Sequence, residues 1–491
     1  MTMRALESYF AKFREHIIGK DQYFDSPFGR KKIIYADWIA SGRLYEPIER
    51  RLLEHFAPFV ANTHTETTVT GSSMTFAYHE AKRIIKEHVK AAHSDVLISS
   101  NSGMTGVVNK FQRILGLKVH EKFRARVELP EADTPIVFVS HMEHHSNQTS
   151  WLETLADVEV IRPTPEGRVD LEHLQQLLAQ YASRKTKIAA VTSCSNVTGL
   201  QTPYHQIARM MHEVGGLCFV DFACSAPYID MVMRPADPLE HLDAIYFSPH
   251  KFLGGPGTTG ILIFDPKLYD NKVPDNPGGG TVDWTNPWGG HKYIDEIEAR
   301  EDGGTPAFLQ TIKVALCIRL KEEMGVAQIH QREEELLEMV WEKLEPVPNI
   351  HILAGHLKDR LGVISFYIED LHYNLGVKLL NDRFGIQVRG GCSCAGTYGH
   401  YLLHVSPQYS QSITEKISTG DLSDKPGWIR LSLHPVMTDA ELRYILDAIV
   451  ELAAQHKVWA KDYTYHNRSN EFVCDLPHIR EQELVHEWFN L

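Results

Sequence analysis

Between residues 95 and 264 short apolar runs alternate with amphipathic stretches, and this alternation limits the fold more than any other feature of the 491-residue chain. The apolar runs cover residues 96–99, 136–140, 158–162, 188–192, 217–220, 243–247 and 259–264. They have the length of buried strands rather than of helices. Helical patterns fill the gaps between the first five: from about Thr105, through Trp151, from Asp170 and after Pro203. Strands joined by helices require crossover connections, so the expectation is an α/β fold with a mostly parallel, seven-stranded sheet flanked by helices. In such sheets ligands collect at the carboxyl ends of the strands. The loops that follow the runs are therefore where chemistry is to be sought.

Several of those loops carry useful polar groups. Ser99-Ser-Asn-Ser-Gly-Met-Thr-Gly106 is a small-residue turn opening a helix. Its N–H groups and dipole suit a phosphate, with Thr105 adding a hydroxyl; they equally suit an ordinary cap. Ser140-His-Met-Glu-His-His-Ser-Asn147 offers histidines that could stack on an aromatic cofactor, shuttle protons, or simply line a polar loop. In Ser193-Cys-Ser-Asn-Val-Thr-Gly199 the amide of Asn196 could donate to a phenolate-like oxygen or form a turn. The run 217–220 leads into a carboxylate, Asp221, and Phe247-Ser-Pro-His-Lys-Phe-Leu-Gly-Gly-Pro-Gly257 centres on Lys251. A loop lysine is either a surface charge or a reactive amine. A strand-end Asp followed by a strand-end Lys supplies the two groups that pyridoxal phosphate requires, one for its pyridinium nitrogen and one for covalent attachment.

Past residue 306 the pattern changes to long helices, 307–324 and 327–344, then to shorter elements around 362–368, 373–384 and 428–433. A last helix opens with the capping box Thr438-Asp-Ala-Glu441 and shows Leu442, Ile445, Leu446, Ile449 and Val450 on one face. Three regions follow: an N-terminal arm, 1–34, packing with the small domain; a large domain, 35–306; and a smaller C-terminal α+β domain, 307–491. The last carries Ile386-Gln-Val-Arg-Gly-Gly-Cys-Ser-Cys-Ala395 and Trp428-Ile-Arg-Leu-Ser432. A glycine-flanked Cys394 can present a thiolate or be an ordinary buried thiol. The planar fork of Arg430 suits a carboxylate, while Arg389 positions loop or substrate or makes an exposed ion pair. His64, in the polar linker between two helical patterns, is a solvated loop residue or a substrate contact.

With 50 basic and 63 acidic side chains the formal charge is −13, which argues against nucleic acid as a partner. No apolar run approaches the roughly 18 residues of a membrane span, and residues 1–10 lack the apolar core of a signal peptide, so a cytoplasmic location is expected. Seven cysteines without framework spacing fit reduced thiols, and Cys392-Ser-Cys394 has no complementary pair for a metal site.

From about Tyr35 to about Leu452 the chain resembles the class V, fold-type I pyridoxal phosphate enzymes, and among them the group II cysteine desulfurases and selenocysteine lyases. The joint pattern Glu143-His144, Ser195-Asn196, Asp221-x-Ala223 and Ser248-x-His250-Lys251 carries the resemblance. It implies Lys251 as the lysine bonded to the cofactor, Asp221 as the pyridinium partner, His144 as the ring-stacking and proton-handling residue, and Asn196 as the donor near the phenolic oxygen. Thr105, Ser248 and His250 would bind phosphate. Arg300-Glu-Asp-Gly-Gly-Thr-Pro306 is similar to a segment reaching into a neighbouring subunit, so Thr305 would touch the partner's phosphate and a homodimer with composite sites is implied. Gly278-Gly-Gly-Thr281 resembles the family's glycine run beside the substrate.

The activity implied is conversion of L-cysteine to L-alanine, with sulfur passing as a persulfide to Cys394 and on to a thiol acceptor, a small carrier protein or a reductant. Arg430, with Arg389 and His64, would hold the substrate. The chain departs from the pattern at Cys224, where glutamine is common, at Met104, where a second threonine is common, and in lacking paired histidines before Cys394. It also has a long stretch between Cys394 and Arg430. The alternatives are a class V aminotransferase, epimerase or lyase acting on another amino acid, with Cys394 structural, and a non-catalytic cofactor-binding scaffold.

Overall fold

The computed structural model describes residues 3–63, 65–100, 102–477 and 481–490. The chain forms two compact units: the larger is Ser41–Ser195 with Leu200–Val326, and the smaller is Met1–Ala40, Asn196–Gly199 and Ala327–Leu491.

In the larger unit the seven apolar runs become β1 (Val96–Ser100), β2 (Ile136–Ser140), β3 (Asp157–Ile161), β4 (Lys187–Thr192), β5 (Leu217–Asp221), β6 (Ala244–Phe247) and β7 (Gly260–Phe264). They form one sheet in the order β1-β7-β6-β5-β4-β2-β3. Strands β2 to β6 run parallel, whereas β7 is antiparallel to both of its neighbours. Helix α1 (Val69–His88) precedes β1, and the connections between strands carry α2 (Gly103–Ile114), α3 (His145–Leu152), α4 (Leu171–Gln180) and α5 (Tyr204–Glu213). Phe111 of α2 is wedged between Phe219 of β5 and Phe264 of β7, with ring centroids 5.0 and 5.1 Å away, and Trp151 closes the same core. Burying such rings supplies roughly 25 cal/mol per Å² of apolar surface, which fixes the sheet beneath its loops. At the edge of that core a Cβ on Gly260 would lie 2.1 Å from the carbonyl oxygen of Gly103. Glycine is therefore required where β7 passes the turn that opens α2.

Helix α6 (Phe308–Met324) lies in the larger unit, so that unit extends past the expected boundary at 306. The physical reason is a shared apolar cluster, in which Phe308, Ile312 and Ala315 of α6 pack with Met74, Tyr78 and Ala81 of α1.

The smaller unit is built on an antiparallel sheet of β8 (Ile350–Ile352), β9 (Val363–Ile368), β10 (Arg389–Gly391) and β11 (Trp428–Ser432), in the order β8-β9-β11-β10. Its helices are α7 (Val326–Leu344), α8 (Tyr373–Phe384), α9 (Gly396–Leu402), α10 (Pro407–Ser418) and α11 (Asp439–Trp459). The capping box at Thr438 and Glu441 is present at the start of α11. The N-terminal stretch adds the helix Met3–Arg14 and the hairpin Tyr23–Ser26 with Gly29–Lys32. Ile34–Tyr35 pairs in parallel with Ile386–Gln387, while Asp37 makes a single bridge to Ser432. The long stretch after Cys394 is ordered as α9 and α10, tied together by His400, whose Nδ1 lies 2.8 Å from the Gly396 carbonyl and whose Nε2 lies 2.8 Å from Ser410 Oγ. Among the described residues no helix is long and apolar enough to cross a membrane.

Candidate active site

In the larger unit the sheet delivers its polar residues at strand ends. Asp221 ends β5 and is almost wholly buried, its Oδ1 accepting the Ala223 N–H at 2.8 Å. Burial pushes its carboxyl up to about 6, against the opposing pull of the Ala223 N–H and of the Lys251 charge. Lys251 ends the single turn Pro249–Lys251 that follows β6. Next to it, burial and then the Lys251 charge lower the His250 imidazole to about 4, so this ring is neutral at neutral pH. The buried Ser248 Oγ accepts the Met104 N–H at 2.8 Å, joining the loop after β6 to the first turn of α2. Thr105 stands exposed in that turn, with Oγ1 2.6 Å from Ser146 Oγ at the start of α3. His144 caps α3: its Nδ1 accepts the Ser146 N–H at 3.1 Å, so the neutral ring carries its proton on Nε2.

Glu143, beneath His144, was legible only as half of a motif. Its buried carboxyl accepts from the Ser140 N–H and hydroxyl, from the Thr192 N–H at 2.9 Å and from Asn147 Nδ2 at 2.7 Å. Those contacts bind the loop after β2 to the end of β4, and burial pushes the carboxyl up to about 8 despite them. Cys224 is buried with its Sγ 3.9 Å from Cys194 Sγ and 3.6 Å from the Ser195 carbonyl. Thr305 is exposed in a bend near the end of this unit, and Thr281 is buried, its hydroxyl donating to the Gly278 carbonyl at 2.6 Å. His64 lies outside the described residues.

The smaller unit brings together Asn196, Cys394, Arg389 and Arg430. Asn196 Nδ2 donates to the Ser393 carbonyl at 2.7 Å, and Arg430 Nη1 donates to the Asn196 carbonyl at 3.2 Å. Cys394 is exposed and sits in a turn closed by the Ala395 N–H donating to the Cys392 carbonyl at 3.0 Å. Ser393 and Cys394 both have left-handed backbones, with φ of 51° and 57°. Residues other than glycine pay for that conformation, and such strain gathers at functional loops. Arg430 is buried, and three buried polar atoms of this network have no hydrogen-bond partner: Arg430 Nε, Asn196 Oδ1 and Ser393 Oγ.

Sequence reasoning missed Asp37 altogether. Its carboxylate accepts from Arg430 Nη2 at 2.8 Å and from Arg389 Nε at 3.0 Å. The signal was available in the need for a counter-charge to two arginines expected in one site.

The chain resembles known proteins over most of its length. The chain is 28% identical over 375 residues to a "Probable cysteine desulfurase" of Staphylococcus aureus, covering 76% of this chain and 85% of the relative. A relative of the same description from Staphylococcus epidermidis is 28% identical over 369 residues, covering 74% and 84%. Among solved structures, a cysteine desulfurase of Thermococcus onnurineus superposes with a TM-score of 0.72 at 22% identity, covering 90% of this chain and 98% of that one. A cysteine desulfurase of Escherichia coli gives 0.71 at 20% identity, covering 91% and 98%. At these identities the structural likeness speaks for the fold. The aminotransferase class-V family model matches residues 34–445, and the chain belongs to that family.

Proposed function

We propose that this chain is a pyridoxal phosphate-dependent cysteine desulfurase that converts L-cysteine to L-alanine and takes the sulfur onto Cys394. The observation that carries the reading is the hydrogen-bonded run from buried Arg430 through Asn196 to the exposed Cys394 turn, with unpaired polar atoms along it. The relatives described as cysteine desulfurases support it.

The larger unit's donor set fits the cofactor. Burial raises the Asp221 carboxyl to about 6, and a cationic N–H beside it, which a pyridinium supplies, would offset that cost; the N-cap residue of the 12-residue α2, Ser102, makes no side-chain cap of its own. Lys251, Asp221, His144, Ser248, His250 and Thr105 would hold the group. When bound, pyridoxal phosphate supplies an electron sink for charge developing at the substrate α-carbon.

The chain's own residues then divide the work. Arg430 pairs with the substrate carboxylate, its Nε being the free donor. Lys251 Nζ takes the α-proton, and neutral His144, with its proton on Nε2, can pass one on. Cys394 Sγ, as thiolate, bonds to the substrate sulfur while the carbon–sulfur bond breaks and its electron pair leaves with the three-carbon fragment, which is released as alanine. The persulfide then passes to a thiol acceptor.

The test is alanine formation from L-cysteine with a reductant present, comparing wild type with Cys394→Ala. Alanine made by the wild type and lost in the variant is expected. Equal rates would remove Cys394 from the reaction and leave a class V enzyme acting on another amino acid.

A further inference from the structure

The four residues Asn196–Gly199 belong to the smaller unit, although the chain before and after them belongs to the larger. Each is stitched in place. Arg430 Nη1 donates to the Asn196 carbonyl at 3.2 Å, Ser365 Oγ donates to the Val197 carbonyl at 2.6 Å, and the Leu361 N–H donates to the Gly199 carbonyl at 2.9 Å. The hydroxyls of Thr198 and Tyr398 lie 3.2 Å apart. Asn196 also reaches the turn that carries Cys394, through its 2.7 Å bond to the Ser393 carbonyl.

That turn has an unfavourable sequence for its shape. Residues Cys392 to Ala395 are closed by a 3.0 Å backbone bond, with φ of 51° at Ser393 and 57° at Cys394, the pattern of a type I′ turn. Glycine and asparagine occupy those positions readily; serine and cysteine do not. A turn made from residues that disfavour it has to be held from outside, and the carbonyl between the two strained residues is the atom that is held. A carbonyl only accepts, so the group facing it must be the amide nitrogen of Asn196.

We propose that Asn196 is a positioning residue that latches the Ser393–Cys394 turn in its left-handed form and couples it to Arg430. Because the Asn196 carbonyl accepts from Arg430 while its side chain holds Ser393, a shift of the guanidinium on taking up a carboxylate is passed to the turn that presents the thiol. The coupling to turnover rests on the reading of Cys394 as the sulfur acceptor, whereas the latch itself does not. It adds to the cofactor contact expected of this asparagine a partner within the chain.

The test reads the turn without turnover. Asn196→Asp keeps the size of the side chain and removes the N–H donor. Ser393→Gly places at 393 the one residue that adopts this φ freely, making the turn self-supporting. In the full-length protein we expect Asn196→Asp to speed exchange of the Ala395 amide hydrogen about tenfold, on the order of one lost hydrogen bond, and to change the alkylation rate of Cys394 in parallel. Ser393→Gly alone should slow that exchange, and combined with Asn196→Asp it should restore both readings. With L-cysteine, kcat should fall in Asn196→Asp at unchanged KM and recover in the double variant, which loss of a cofactor contact alone would not do. Unchanged Ala395 exchange in Asn196→Asp, faster exchange in Ser393→Gly, or no restoration in the pair would each overturn the latch. Absence of alanine formation in the wild type would instead count against the desulfurase reading and leave the exchange results standing.

Discussion

Arg389 and Arg430 stand directly opposite each other on the adjacent antiparallel strands β10 and β11 and donate to the two oxygens of one carboxylate, that of Asp37. The two ends of this bridge differ. The Arg430 side chain is 3% exposed and the Arg389 side chain 51%. Removing one partner of a buried ion pair strands the other, at a cost of about 3–5 kcal/mol, whereas a half-exposed pair is worth about 1 kcal/mol or less. Asp37→Ala should therefore lower the urea unfolding midpoint far more than Arg389→Ala does. Equal shifts would mean that Asp37 is not chiefly the counter-ion of Arg430.

A second carboxylate of this kind sits far along the chain and makes stability depend on pH. His212 and His241 stack with ring centroids 4.0 Å apart and planes 4° apart, and their Nε2 atoms lie 2.9 and 3.2 Å from the two oxygens of Asp243. Each Nδ1 faces a backbone carbonyl, Leu239 at 2.7 Å and Pro238 at 2.6 Å, and so carries a hydrogen. A neutral ring would then aim an Nε2 lone pair at the carboxylate, and only a second proton makes the contact attractive. Parallel rings also direct those lone pairs side by side rather than to the common point a metal needs.

The hydrogen bond that His241 donates to Asp243 raises the His241 pKa, with burial and the Arg234 charge opposing it. Burial alone would raise Asp243, but the contacts from His212 and His241 outweigh it and bring the carboxyl down to about 2. The His241 contribution is thus complete below its unfolded value of about 6.5 and lost as pH rises through the higher folded value. The Asp243 contribution is complete above about 4 and lost on acidification toward its folded value. In a comparison of wild type with His241→Gln, the difference in urea midpoint should shrink steadily from pH 6 to pH 8.5. A difference that grows over that range would contradict the assignment.

Much of this architecture could be read ahead of the coordinates, because strand runs and helix periods are local signals. All seven sheet strands, the capping box at Thr438 and the strand-end positions of Asp221 and Lys251 depend on neighbours within a few residues. What was not legible depends on contacts across hundreds of residues. Asp37 becomes a site residue only when β11 brings Arg430 to it, and Ser393 matters only because Asn196 reaches its carbonyl. Helix α6 read as the start of the smaller domain because the pattern changes to long helices past residue 306. Its partner, the Met74, Tyr78 and Ala81 face of α1, could not be seen from its own residues.

The thiols should separate cleanly by accessibility. Cys394 is exposed and Cys392 half-buried, while Cys194, Cys218, Cys224, Cys317 and Cys474 are buried. Burial also raises the Cys218 thiol well above its usual value and pushes Cys317 up to about 12, so neither offers thiolate at neutral pH. Brief iodoacetamide treatment of the native protein followed by peptide mass analysis should find label on Cys394 first and Cys392 second. The buried five should react only after unfolding. Early labelling of Cys224 would show that its contact with Cys194 opens on the timescale of the experiment.

The roles proposed for Lys251 and Asp221 differ in a way that variants can separate. If Lys251 bonds the cofactor, borohydride treatment of the holoprotein should leave the reduced cofactor on the peptide containing Lys251, and Lys251→Ala should carry none. Losing the amine as a proton acceptor as well should cost about 10²–10⁴ in rate. Asp221→Asn should retain the borohydride adduct, since Lys251 is untouched, yet lose about a hundredfold or more in rate, because a neutral amide replaces the charge that holds a pyridinium proton. The burial that raises Asp221 to about 6, even beside the Lys251 charge, adds a pH signature. Cofactor binding should take up less base as pH rises past 6, where the carboxylate is already ionised, and Asp221→Asn should abolish that dependence. Loss of the adduct in Asp221→Asn would mean that the carboxylate retains the cofactor rather than tuning it.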